Sequence, residues 1–126
     1  MRVTKAVVLA LTVGACFPAG AIARRGAHGQ QKAAILKASG VPSRAPLKCY
    51  EVFVSTVDKG WATSQYGGAV HGVCAPFGAN GVSVVHFIHG HWHFVTAGSA
   101  FSCPIPGHIP QGVKRDLKLD CIPRGA

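Results

Sequence analysis

The sequence predicts a small α+β domain: an antiparallel sheet of about four strands, one or two short flanking helices, and a disulfide framework. Three observations carry that expectation. From Lys48 onward, runs rich in Val, Thr, Tyr, Phe and Trp alternate with polar residues and are separated by Gly, Asn and Asp turn signals. Cys49, Cys74, Cys103 and Cys121 form an even set. The first 23 residues read as a secretory signal peptide, which would deliver those cysteines to a compartment where disulfides persist.

The signal reading rests on the order of its parts. Arg2 and Lys5 make a cationic start, Ala6 to Ala15 an uncharged apolar run, and Ala21-Ile22-Ala23 a small-x-small cleavage site. The apolar run is short for a bilayer span, and Gly14, Pro18 and Gly20 interrupt it, so no transmembrane segment is expected in the mature chain. Val13-Gly14-Ala15-Cys16 offers a second processing route, in which lipidation at Cys16 tethers the protein to a membrane surface. Ordinary cleavage after Ala23 is favoured and leaves residues 24–126. That length suits one domain and excludes two. The full chain carries a net charge of +9, which attracts anionic surfaces such as a cell envelope, although a solvated basic exported protein without a dedicated anionic partner is the plainer expectation. Its basic residues are scattered and not interleaved with aromatics, so no specific nucleic-acid binding is expected.

Residues 24–46 are basic and rich in Gly, Ala, Ser and Pro, which suggests a flexible leader. Within it, Gln30 to Ser39 fits a short helix with Ala33, Ile35 and Leu36 available for docking, ended by Gly40 and Pro42. Residues 47–126 then read as the single domain. Cys49 to Val57 alternates as a strand, Asp58-Lys59-Gly60 turns, and Trp61 to Tyr66 returns. Ala69 to Ala75 is a weaker strand candidate. Val82 to Ile88 and His91 to Ala97 form the clearest hairpin, closed by His89-Gly90. That loop fixes a register: Ile88 opposite His91, Phe87 opposite Trp92, His86 opposite His93, Val85 opposite Phe94. Alternation then places Val85, Phe87, Trp92 and Phe94 on one face, expected to be core, and His86, Ile88, His91 and His93 on the other, expected to be exposed. Pro110 opens a last short helix reaching about Leu117, with Val113 and Leu117 turned to the sheet.

Four cysteines allow three pairings. Chain order favours Cys49 with Cys74 and Cys103 with Cys121, each bridge closing a loop with its own turn signals and contributing about 3 kcal/mol. The rival use, a zinc knuckle, lacks any Cys-x-x-Cys spacing. The run Ser55-Thr56-Val57-Asp58 with Trp61-Ala62, then Trp92 with Phe94-Val95, then Cys103, then Asp116-Leu117-x-Leu119-x-Cys121 resembles a group of small exported bacterial proteins of uncharacterised function. The resemblance spans Cys49 to Cys121 and implies that the two late cysteines pair. It implies no activity, cofactor or partner.

Chemistry-bearing residues are few. His86, His89, His91 and His93 are the one dense cluster, and His86, His91 and His93 are the candidate ligand set for Zn, Cu or Ni. A polar sheet face without metal is the plainer expectation, since no carboxylate lies nearby in sequence to orient the rings. His71 and His108 read as loop residues. No serine sits in a Gly-x-Ser-x-Gly elbow, and Asp58 and Asp116 fit a turn and a helix end better than an acid/base pair. The sequence therefore points to a non-enzymatic exported module without a cofactor, with an inhibitor or cationic effector of an exported partner as a further reading.

Overall fold

The computed structural model describes residues 24–125. The signal segment, including Cys16, lies outside the described residues. Five antiparallel strands form one sheet in chain order: β1 (Arg25–Gly26), β2 (Tyr50–Val54), β3 (Trp61–Tyr66), β4 (Val82–Ile88) and β5 (His91–Gly98). A parallel pair, β6 (Phe101–Ser102) with β7 (Cys121–Ile122), makes a second small sheet. The helices are α1 (Gly29–Ala38) and α2 (Gln111–Asp116). The weaker strand candidate, Ala69 to Ala75, is instead irregular and leads into a 3₁₀ turn at Ala75–Phe77. Gly67, Gly68, Gly72 and Pro76 keep it out of a ladder.

The β4–β5 hairpin has the register expected from sequence, pair for pair from Ile88 opposite His91 to Val85 opposite Phe94. Its loop explains why: His89 and Gly90 sit at φ 51° and 82°, the two positive angles of a type I′ turn, whose twist matches that of the strands it joins. Beyond Val85 the register slips, because Val84 pairs with Thr96 and leaves Val95 as the extra residue of a bulge.

Helices cover the sheet from opposite sides. On one face, Ile35 and Leu36 of α1 pack with Val52, Val54, Ala62 and Val85. On the other, Ile105, Ile109, Val113, Leu117 and Leu119 pack with Trp61 and Val84, and Val95 turns into this second core. The reading of residues 24–46 as a flexible leader is thereby corrected. Ala27, Ile35, Leu36 and Ala45 are buried, and β1 pairs with β2. The short helix expected within that segment is present as α1, and Ile35 and Leu36, the residues expected to be available for docking, are buried against the sheet.

The hairpin faces also differ from expectation. Val85 is core and Trp92 packs beside it under α1, but Phe87 and Phe94 are 45% and 56% exposed, so the cover on this face stops short of them. On the opposite face His86 is partly covered, its ring stacked on Trp61 with centroids 3.9 Å apart and planes 9° from parallel.

Two disulfides fasten the layers, joining Cys49 to Cys74 and Cys103 to Cys121 with Cα–Cα distances of 5.3 and 5.1 Å. A polar clasp completes the second layer. Asp116 at the end of α2 accepts hydrogen bonds from the Ser55 hydroxyl at 2.8 Å, the Thr56 amide at 2.7 Å and the Thr56 hydroxyl at 3.1 Å. The Ser55 oxygen itself accepts from the amides of Val57 and Asp58, which shapes the turn into β3. Burial alone raises the Asp116 pKa, but the Ser55 hydroxyl, then the Thr56 amide and hydroxyl and the Val57 amide, hold the carboxyl below its ordinary range. Ser55 and Asp116 therefore have a structural task. Among the described residues, no helix is long and apolar enough to cross a membrane.

Candidate functional site

Two surfaces at opposite ends of the β4–β5 hairpin carry the chemistry available to this fold. At the tip, strand pairing sets His86 opposite His93 and His91 opposite Ile88. With alternation, His86, His91 and His93 lie on one face, as the sequence indicates. Their surroundings differ. His91 and His93 are exposed, whereas His86 is held against Trp61. Among the described residues, no three His, Cys, Asp or Glu side chains of one chain come together as a group that could hold a metal ion. His71 and His108 are exposed loop residues.

The second surface is a groove of about 360 Å³ at the other end of the hairpin, which sequence reasoning did not identify. Its origin is a change of side-chain size along one sheet face. Under α1 the β3–β4 rung is Ala62 opposite Val85, closed by the helix. One rung on, Ser64 faces Ser83, and Ser83 faces Ala97 on β5. Three small side chains in a row leave a hollow where larger ones would have filled the core. Its floor is polar: the Ser64 hydroxyl donates to Ser39 Oγ at 2.8 Å, and the Ser39 hydroxyl donates to the Ile35 carbonyl at 2.9 Å.

The walls are Ser39 to Arg44, following α1, and Pro76 to Gly81. The second wall is pinned by the Cys49–Cys74 bridge and by the Tyr50 hydroxyl, which donates to the Phe77 carbonyl at 3.1 Å. Burial, and after it the neighbouring Tyr66, push the Tyr50 phenol above its ordinary pKa, so it stays a neutral donor. Tyr66 meets Tyr50 edge-to-face at 6.0 Å between centroids. The Arg44 guanidinium lies 5.9 Å from the Phe77 ring centroid, spanning the two walls. At Gly81, φ is +102° and an added Cβ would come within 2.8 Å of the Gly98 carbonyl oxygen, so only glycine lets this wall turn back onto β5.

Aromatic rings, hydroxyls and one guanidinium line the groove, and no carboxylate does. Such a set suits a polar ligand that is neutral or anionic and repels cations. Its sequence signal was the pair Ser64 and Ser83 interrupting apolar alternation, legible only once the register set them side by side. Comparison of the chain with protein-family models, characterised proteins and solved structures returns no match.

Proposed function

We propose that this protein is an exported, non-enzymatic binding module, and that its site is the groove between the α1 end and the Pro76–Gly81 wall. Two disulfides in so small a chain fit an oxidising compartment outside the cytosol. The observation that carries the site is the rung of Ser64, Ser83 and Ala97, which excavates a polar hollow beneath aromatic walls. A ring with many hydroxyls matches it best, because its apolar faces rest on Tyr66 and Phe77 while its edges meet Ser and Asn side chains. The volume is at the lower end of small-molecule sites, about 300–1,000 Å³. The ligand class is accordingly a short neutral or acidic saccharide, of the kind envelope polymers are built from, with Arg44 favouring the acidic form.

NMR titration of the oxidised protein with neutral and uronic disaccharides tests this. Shifts are expected at Ser64, Tyr66, Phe77 and Ser83. Ser83→Leu, which fills the hollow, should weaken binding at least about tenfold, and Arg44→Gln should weaken the acidic sugar more than the neutral one. Unchanged spectra, or binding indifferent to Ser83→Leu, would overturn the assignment.

Export has its own check. Amino-terminal sequencing of protein recovered outside the cytoplasm should begin at Arg24, and a lipidated Cys16 there would instead establish a tethered form. Retention of Met1 in that material refutes cleavage.

A further inference from the structure

β5 is a bare edge. The opposite margin of the sheet is blunted, as β1 has only two residues and one of them is Arg25. β5 runs eight residues, His91–Gly98, with no Pro, Lys or Arg, and among the described residues no strand pairs with its outer side. Long unpaired edges of this kind are templates for another strand.

Which backbone groups point outward follows from one hydrogen bond. The Phe87 amide donates to the Gly60 carbonyl at 2.7 Å, toward the β3 side. Inward and outward groups alternate along an antiparallel strand, so His86 and Ile88 turn to β5 and bond with His93 and His91. Trp92 and Phe94 therefore direct their N–H and C=O groups out to solvent.

We propose that a second copy of this chain adds to that edge and that a divalent metal ion is held between the two copies by His91 and His93 of each. An antiparallel pair related by a twofold axis is self-complementary when Trp92 bonds to Trp92 of the second copy. In that register His91 stands opposite the second copy's His93, and His93 opposite the second copy's His91. Both are non-hydrogen-bonded pairs, the closer kind, with Cα atoms about 4.5 Å apart. Four imidazoles then project from one face of a compact square, within reach of the tetrahedral four-nitrogen arrangement that zinc accepts. A single chain brings no such group together among its described residues, and His86 is occupied by Trp61. The site is complete only in the pair. The strand overlap is short, His91 to His93 of each copy with one residue on either side of the axis, so the metal supplies the association that backbone pairing alone does not. On the other face Trp92 of each copy meets its counterpart, flanked by its own exposed Phe87 at 5.3 Å between ring centroids.

Sedimentation velocity on the oxidised protein reads the proposal directly. Monomer is expected in EDTA, and dimer with Zn(II) at one metal per pair of chains. His91→Ala and His93→Ala, both at exposed positions, should each abolish the dimer, while His86→Ala, verified as folded by circular dichroism, should dimerise like the parent. Zinc bound by a monomer, a zinc dimer that survives His93→Ala, or monomer at every zinc concentration would each overturn it. Loss of zinc binding in folded His86→Ala would also overturn it, in favour of a site within one chain.

Discussion

Removing the Cys49–Cys74 bridge as Cys49→Ala/Cys74→Ala is expected to lower stability by about 3 kcal/mol, which for a chain of this size lowers Tm by about 15 °C. The bridge closes a sequence separation of 25, so cutting it returns a large loop-closure entropy to the unfolded chain. Its loss is also local. Cys49 is fully buried beside Tyr50, and Cys74 begins the wall that carries Phe77. Once that wall has lost its covalent anchor, saccharide affinity should fall along with stability. Thermal unfolding by near-ultraviolet circular dichroism, beside the titration above, measures both. A Tm within a few degrees of the parent would show that the wall holds without its bridge.

Asp116→Ala should cost about 3 kcal/mol, since hydrogen bonds to a charged acceptor contribute about 1.5–3 kcal/mol and Ser55, left without its acceptor, is almost wholly buried. Asp116→Asn keeps an acceptor and should cost about half as much. The carboxyl also makes stability depend on pH. Its folded pKa lies below the unfolded value, near about 3.9, so the unfolded chain binds more protons in that interval. The clasp's contribution is complete above the ordinary carboxylate range and drains away as pH falls through the lowered folded value. Urea unfolding from neutral pH into acid should show the parent losing its advantage over Asp116→Ala there. Parallel curves throughout would mean that the carboxylate's charge contributes nothing.

The parts of the fold governed by neighbouring residues were legible in the chain. His89-Gly90 sets the hairpin register through its own backbone angles, and Pro110 marks the start of α2. Chain order, with turn signals inside each loop, favoured the consecutive pairing of the cysteines that the structure shows. What escaped depends on contacts between distant segments. The helix α1 and its docking residues Ile35 and Leu36 were themselves legible, but not the sheet patch from Val52 to Val85 that they meet. The bulge at Val95 decides that this valine joins the second core, and the exposure of Phe94 follows from its place on the margin. The groove is subtler, being made by side chains that are too small, from three strands and two loops.

Strand order in the main sheet repeats order in the chain, and the four cysteines among the described residues pair consecutively, at separations of 25 and 18. If the chain is exported as proposed, emerging amino-terminus first, each segment meets its partner as it arrives. Every strand of this sheet is laid down at a single advancing margin, none has to thread between two already placed, and an oxidant working in sequence leaves nothing for an isomerase to reshuffle.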